Sequence, residues 1–289
     1  NKYILHNRSI LFSSHDEVKK FLEKRSIENS KKHQQPATLN VKSNLDKLTL
    51  NDMQVFRFNF RHEKNQKILY LHGGYNTLQP SPFHWRLLDK LTLNTLHEVV
   101  LPIYPKSPDY HYLETFKAIR DVYNQLVEEV GADNIVMMGD GSGGGLALSF
   151  VQSLINDNQE VPRKLFLLSP LLDATLTNPN ITQTLEENDI LVSRFGVHQL
   201  MKFWANDLPL SDARISPLYG TLKGLPPIYM YGGGREILSP DMHAFTHALE
   251  ECGNDVEFKE YPKMVHDFPI YPIRQSHKVL KHITKSILE

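Results

Sequence analysis

Residues 134–148 read NIVMMGDGSGGGLAL, and this stretch decides the fold. The apolar run at 134–138 has the length of a buried strand, and the pattern of 146–155 is typical of an apolar helix. The five glycines between residues 139 and 145 mark a tight turn that joins the two. A strand that passes through such a turn into a helix is part of a βαβ unit.

The same alternation continues on both sides of this stretch. Short apolar or alternating runs predict strands at 53–60, 67–72, 98–101, 164–168, 227–231 and 256–260. Helical patterns occupy 113–130, 240–252 and 274–288. Strands alternating with helices predict the α/β class, with a mostly parallel central sheet flanked by helices. We expect one such domain over residues 1–289.

One long connection interrupts the alternation. Residues 173–225 lie between two predicted strands and contain one clear helix, at 195–206, and a connection this long is usually a lid or an insertion. Residues 14–33 predict a second polar helix, in which Ser14 and Glu17 fit a capping box. We therefore expect a helical cap, made of residues from about 1 to 45 and 173–225, over the ligand-binding edge of the sheet.

Composition excludes several classes of function. Lys and Arg total 32 against 33 Asp and Glu, so no basic surplus points to nucleic acid or an anionic membrane. Cys252 is the single cysteine, which excludes an internal disulfide framework and a cysteine-based zinc site. The apolar runs are too short to span a bilayer, and the first 20 residues hold no signal-peptide core. A cytoplasmic location is expected, although the chain starts at Asn1 and a leader upstream stays open.

The glycine cluster has two interpretations. Gly139, Gly141 and Gly144 match G-x-G-x-x-G, the turn that binds dinucleotides. That turn needs an acidic residue at the end of the next strand, where residues 168–170 read Leu-Ser-Pro. The second interpretation is the nucleophile elbow, G-x-S-x-G, which presents a serine above the sheet. The missing acidic residue favours the elbow.

The elbow can be aligned in two registers. In one register Ser142 is the nucleophile, and the bulky Asp140 stands where a glycine fits better. In the other register Gly139 and Gly143 are correctly placed, but the nucleophile position holds Gly141. The spacing alone leaves both registers open.

Three further loops follow strands and carry groups that this chemistry needs. Gly73 and Gly74 form a turn whose backbone N–H groups can bind an oxyanion. His266 follows the last strand, where this fold places a general base. Glu236 or Asp241 in the loop 232–241 could orient the imidazole, although Asp241 also suits a helix cap. The order nucleophile, acid and histidine is that of α/β-hydrolases.

Two other side-chain sets have simpler explanations. His243 and His247 have the i, i+4 spacing of two metal ligands, but no acidic third ligand accompanies them, so we expect a solvated helix face and no metal. Hydrophobic residues on the last helix suit either the core or a second copy of the chain, and these residues are Val279, Leu280, Ile283 and Ile287.

The motifs together resemble the hormone-sensitive-lipase-like (GDXG) branch of the α/β-hydrolases. GDGSGGGLAL at 139–148 is similar to GDSAGGNLAL, and HGGY at 72–75 is similar to HGGG. The resemblance covers roughly residues 50–289. It implies an α/β-hydrolase fold and hydrolysis of carboxylic esters without metal or cofactor. It also favours Glu236 as the triad acid, because the family's G-x-x-E-x-L-x-x-D loop fits Gly233, Glu236, Leu238 and Asp241.

We therefore expect a serine carboxylesterase-like hydrolase that acts on a small-molecule ester. His266, braced by Glu236, is the expected base, and Ser142 is the nucleophile candidate as the single serine of the elbow. The expected oxyanion donors are the backbone groups of Gly73, Gly74 and Gly143. In the gap-free match the family's serine falls on Gly141. The alternative is therefore a catalytically impaired hydrolase fold that serves ligand binding or regulation.

Overall fold

The computed structural model describes residues 14–60 and 66–289. Within them eight strands form one sheet in the order β1-β2-β4-β3-β5-β6-β7-β8. The strands are Leu45–Leu50 (β1), Met53–Phe58 (β2), Lys67–Leu71 (β3), Glu98–Pro102 (β4), Ile135–Asp140 (β5), Lys164–Leu168 (β6), Ile228–Gly233 (β7) and Val256–Tyr261 (β8). β2 runs antiparallel to β1 and β4, and β3 to β8 are parallel, so the predicted mostly parallel sheet is confirmed.

Helices pack against both faces of this sheet, and the described residues form eight α-helices in all. They are His15–Asn29 (α1), Pro82–Thr95 (α2), Tyr112–Val130 (α3), Gly141–Asn156 (α4), Gln183–Asn188 (α5), Arg194–Ala205 (α6), Ser239–Glu251 (α7) and Arg274–Leu288 (α8). Successive side chains of a strand point to opposite faces. In β5, Met137 joins the core under α3 and α4, whereas Val136 and Met138 join the core under α2 and α8.

Three elements escaped the sequence patterns, and one of them is the six-residue helix α5. β1 is a half-exposed edge strand, and its sequence LDKLTL lacks the apolar density of the buried strands. α2 follows a capping box in which Ser81 and His84 bond each other's backbone, with Pro82 at the first helical position. Among the helices that were predicted, α4 starts five residues earlier than the apolar pattern at 146, because it includes the glycines from Gly141 onward.

The glycines of α4 are required by close backbone contacts. A Cβ on Gly143 would lie 2.2 Å from the carbonyl oxygen of Leu71, and one on Gly145 would lie 2.1 Å from that of Leu171. The first turns of α4 therefore press directly against neighbouring backbone. Glycine is a poor helix former, so the pattern of helix-favouring residues begins only after this contact region.

α1 lies against α6, which belongs to the segment 173–225. Val18 and Leu22 of α1 are buried with Leu200 of α6. The Asn29 side chain donates to the carbonyl oxygens of Thr77 and Ser107, at 2.9 and 3.2 Å. The expectations for residues 1–13, part of the predicted cap and of the stretch without a signal-peptide core, lie outside the described residues.

The last helix contributes to the core. Val279, Ile283 and Ile287 are buried in the core that also contains α2, and Leu280 is 8% exposed. This packing accounts for the apolar face of α8 without a second copy of the chain. Within residues 14–60 and 66–289, no helix combines the length and hydrophobicity needed to cross a membrane.

A buried ionic cluster lies where the parallel strands begin. Arg57 of β2 and Lys67 of β3 each form an ion pair with Glu98 of β4. Glu129 of α3 accepts from Arg57 Nη2 at 2.5 Å and lies 3.4 Å from Lys67 Nζ. Two cations thus face two carboxylates, and we refer to these four residues as the amino-end cluster.

Candidate active site

Four loops meet at the carboxyl edge of the parallel strands, as their positions in the sequence predict. They follow β3, β5, β7 and β8. Together with the loop after β6, the first turn of α2 and the segment 173–225, they enclose a pocket of about 300 Å³. The residues lining the pocket include Gly73, Gly74, Tyr75, Ser142, His266 and Asp267.

The imidazole of His266 is braced by Glu236. His266 Nδ1 lies 2.7 Å from Glu236 Oε2, and the Glu236 side chain is fully buried. The other carboxylate oxygen, Oε1, accepts from Ser169 Oγ at 2.8 Å and from the Gly233 N–H at 2.5 Å. These bonds fix the orientation of the carboxylate, which in turn leaves His266 Nε2 directed toward the pocket.

Asp267 lies beside that second nitrogen. Its Oδ2 is 3.1 Å from His266 Nε2, and its backbone has the left-handed conformation, with φ of 53°. Burial lowers the pKa of His266, but the carboxylates of Asp267 and Glu236 outweigh it and hold this pKa well above its usual value. Burial raises the pKa of the Asp267 carboxyl to about 6, against the opposing effect of the His266 imidazolium. Asp267, which directly follows His266 in the sequence, was not among the expected site residues.

The position opposite the imidazole is Gly141. A Cβ placed ideally on Gly141 would lie 3.4 Å from His266 Nε2 and 3.1 Å from Asp267 Oδ2. The φ of Gly141 is +51°, a conformation that L side chains rarely adopt. Of the two registers of the elbow, the one that puts residue 141 in the nucleophile position is therefore the one that faces His266 Nε2.

The hydroxyl of Ser142 has a different partner. Ser142 Oγ accepts a hydrogen bond from the Asn76 N–H at 3.0 Å, and the residue is 7% exposed. Between the residues that the structure describes, no hydrogen bond joins Ser142 to His266. The structure brings Glu236 and His266 together and leaves Ser142 on the wall of the same pocket.

The three expected oxyanion donors differ in their surroundings. The Gly73 N–H donates to Asp140 Oδ1 at 3.0 Å and is therefore already engaged. Gly74 lines the pocket. Gly143 is the third residue of α4, whose first N–H groups have no acceptor within the helix. With Gly141 opposite the base, the N–H of Ser142 comes directly after the reacting position.

Asp140 joins the two glycine turns. Its buried carboxylate accepts from Tyr70 Oη at 2.6 Å and from the Gly73 N–H, and it lies 2.9 Å from His84 Nε2. Burial raises the pKa of Asp140, but the charge and hydrogen bond of His84 outweigh it and hold this pKa below its usual value. The sequence interpretation treated Asp140 as an intrusion in the elbow, whereas here it holds the elbow against the turn after β3.

Asp189 links the loop that carries Glu236 to the segment 173–225. Asp189 Oδ1 accepts from the N–H groups of Leu191 and Val192, and Oδ2 accepts from that of Ile237, each at 2.9 Å. Leu191 and Val192 line the pocket. Burial raises the pKa of Asp189, which the charge of His266 partly offsets.

The remaining candidates lie elsewhere. Asp241 Oδ1 accepts from Asn178 at 2.8 Å, and burial raises the pKa of Asp241 to about 6. His243 lies 3.0 Å from Glu260, and His247 is near Glu251 on its own helix. In the part of the chain that the structure describes, no three His, Cys, Asp or Glu side chains are grouped to hold a metal ion.

The chain is similar to known proteins in sequence and in fold. A family model described as the alpha/beta hydrolase fold matches residues 68–270. An esterase of Acinetobacter venetianus is 33% identical over 208 residues, covering 71% of this chain and 68% of that protein. A triacylglycerol lipase of Mycobacterium tuberculosis is 29% identical over 221 residues, covering 76% of this chain. The match spans 46% of the length of that lipase.

Solved structures agree with these matches. The crystal structure of a candidate esterase from Staphylococcus aureus is 64% identical, with a TM-score of 0.97 over 100% of this chain and 98% of that one. An esterase from the bacterial hormone-sensitive lipase family superposes with a TM-score of 0.83 at 20% identity, over 99% of this chain and 96% of that one. The second likeness is one of fold alone.

Proposed function

The chain belongs to the α/β-hydrolase family, and from that premise we propose that its pocket binds small carboxylic esters and hydrolyses them. One observation carries the proposal: the Glu236–His266 pair points across the pocket at the first residue of α4. An acyl group there would have its carbonyl oxygen near the free N–H groups of the helix start. Each well-placed donor of this kind typically lowers the barrier by ~3 kcal/mol.

The pocket walls fit a small apolar substrate. Leu191, Val192 and Val197 come from the segment 173–225, and Leu171 and Leu238 come from loops after β6 and β7. A pocket of about 300 Å³ with these five aliphatic side chains in its wall suits an ester with an apolar acyl or alcohol group. Within this proposal, α1 and 173–225 form the cap. A cytoplasmic location belongs to it too, where the exposed thiol of Cys252 stays reduced.

A second candidate is a binding role without turnover. Gly141 offers no hydroxyl to His266, and the Ser142 hydroxyl is hydrogen-bonded to Asn76. A chain with these features could keep the pocket and the oxyanion donors while lacking the covalent step of a serine hydrolase. Its ligand would be the same class of ester or the corresponding acid.

Hydrolysis of nitrophenyl acetate and butyrate decides between the two. We expect the native chain to exceed the rate in buffer and His266→Ala to lose at least about 100-fold, because proton transfer by a positioned side chain contributes that much. His277→Ala, an exposed histidine of α8, is the matched control and should keep the native rate. Equal rates for the native chain and His266→Ala would overturn hydrolysis. A rise in Tm with added ester would then support the binding role.

A further inference from the structure

The polar atom nearest to the nucleophile position is a carboxylate oxygen. An ideal Cβ on Gly141 would be 3.1 Å from Asp267 Oδ2 and 3.4 Å from His266 Nε2. The space that a serine side chain would fill is therefore bordered by an acid and an imidazole. A water molecule in that space would have both groups within reach.

Asp267 is held in this place by its own surroundings. Its backbone N–H donates to Ser169 Oγ at 3.1 Å, and the same hydroxyl donates to Glu236 Oε1. Ser169 thus links the backbone of Asp267 to the carboxylate that braces His266. Asp267 Oδ1 is buried and has no hydrogen-bond partner among residues 14–60 and 66–289. Buried acceptors in native proteins are usually paired, so this atom calls for a partner that enters the pocket.

The charges around His266 favour its protonated form. Glu236 contacts Nδ1 and Asp267 contacts Nε2, so an imidazolium is flanked by two carboxylates. Further groups that act on this pair are Asp140 at the end of β5, His84 of α2, Asp189 of the segment 173–225, and Tyr75 and Tyr271 of the pocket wall. The raised pKa of His266 agrees with this arrangement. An imidazolium cannot accept a proton, whereas the neighbouring carboxylate can.

We propose that Asp267 is a further catalytic residue, the general base that activates a water molecule over Gly141, with the His266 imidazolium as general acid. This inference rests on the proposed ester hydrolysis and specifies its chemistry. It requires no hydroxyl at residue 141 and no acyl-enzyme. It assigns the nucleophile to water, so that Ser142 remains a wall residue.

The steps balance within the pocket. Asp267 Oδ2 takes a proton from water while the water oxygen forms a bond to the acyl carbon, and the carbonyl electron pair moves onto its oxygen. When that pair returns, the bond to the alkoxy group breaks, and the leaving oxygen takes the proton from His266 Nε2. The proton on Asp267 then passes to Nε2 across the 3.1 Å contact, which restores the carboxylate and the imidazolium. Water and ester have become acid and alcohol.

The pH dependence of turnover is the first test. Asp267 must be ionised, so kcat should rise with pH through about 6. His266 must be protonated, so kcat should fall again as the pH passes its raised pKa. A triad in which neutral His266 is the base would instead give a rate that rises with pH to a plateau. A plateau in the native chain would overturn the assignment of Asp267.

Substitution of Asp267 is the second test. We expect Asp267→Asn to lower kcat by about 100-fold or more with little change in KM, and to remove the limb near pH 6. Asp267→Glu keeps a carboxylate and should retain that limb at a reduced rate. Asp255→Asn, an exposed aspartate just before β8, is the matched control. A native rate in a folded Asp267→Asn chain would overturn the inference, as would loss of the limb in Asp267→Glu.

A mass measurement separates this inference from the proposed function. During turnover of nitrophenyl butyrate, rapid acid quench and intact-mass analysis should show only the unmodified chain. An acylated peptide containing Ser142 would overturn the role of Asp267 while leaving ester hydrolysis intact. The proposed function fails in a different way, through equal rates for the native chain and His266→Ala.

Discussion

Buried charged side chains are paired differently at the two ends of the sheet. The amino-end cluster sets Arg57 and Lys67 against Glu98 and Glu129, so each charge has an opposite charge in contact. Arg57, Lys67 and Glu98 have almost no exposed side-chain surface. A buried ionic group is tolerated when its partners satisfy it. This end has the properties of a structural element.

At the carboxyl edge, acidic and basic side chains are not paired one to one. There the carboxylates of Asp140, Glu236 and Asp267 surround the imidazoles of His84 and His266. One carboxylate oxygen of Asp267 has no partner among the described residues, and the pKa values of both His266 and Asp267 are raised. Groups with strongly shifted pKa values are concentrated at functional sites, because proton transfer needs them near the working pH. We interpret the charges of the amino-end cluster as structural and those at the carboxyl edge as the groups of the proposed chemistry.

The largest expected effect on activity comes from placing a hydroxyl at the carboxyl edge of the sheet. Gly141→Ser puts a hydroxyl beside both Asp267 Oδ2, the proposed base, and His266 Nε2, and we expect ester turnover to rise by about 100-fold or more, together with new labelling by a fluorophosphonate probe. The left-handed φ of residue 141 should cost about 1–2 kcal/mol of stability.

Gly141→Ala is its control, since it adds the same backbone strain without a hydroxyl. Its turnover should not exceed that of the native chain. An equal gain in both variants, or no gain in Gly141→Ser, would show that residue 141 does not face a competent base.

The next test removes one charge from the amino-end cluster. Glu98→Gln removes the carboxylate that both Arg57 and Lys67 contact, and breaking one partner of a buried ion pair costs about 3–5 kcal/mol. Urea unfolding should report this loss, while kcat per folded chain stays native. Glu250→Gln on the exposed face of α7 should leave the unfolding midpoint unchanged. A change in kcat with native stability would reverse the division of roles between the two ends.

The smallest expected effect concerns Ser142. Ser142→Ala removes the acceptor of the Asn76 N–H, which should cost about 1 kcal/mol of stability. Turnover should remain within about twofold of native, because the hydroxyl does not contact His266. Urea unfolding and nitrophenyl ester hydrolysis measure the two quantities. Abolished turnover in a folded Ser142→Ala chain would show that Ser142 is the nucleophile and that it forms a conventional triad with His266 and Glu236.

Much of the fold could be predicted because periodicity reports burial directly. The parallel strands have short apolar sequences, and α3 carries a continuous apolar face, so both were identified. The start of α4 could not be read in the same way. Its glycines are set by backbone atoms of β3 and of the loop after β6, which are distant in sequence.

The site was predictable to a similar extent. Glu236 and His266 follow strands of one parallel sheet, so their meeting could be predicted, and the resemblance to a known family favoured Glu236 over Asp241. The direction of a side chain within a loop is a different matter. Asp267 reaches His266 Nε2 from a left-handed backbone conformation, and Ser142, the second residue of α4, accepts from the Asn76 N–H. Neither conformation can be predicted from the spacing of residues in the sequence.

Asp189 gives the pocket a mechanical property. One oxygen of its carboxylate accepts from the backbone N–H groups of Leu191 and Val192, and the other accepts from that of Ile237. A bulky acyl chain that displaces this aliphatic wall would pull on the residue next to Glu236. A ligand that moves Leu191 and Val192 would therefore also shift Glu236 and, through it, the imidazole of His266. Selectivity for the shape of the acyl chain and the rate of hydrolysis would then change together.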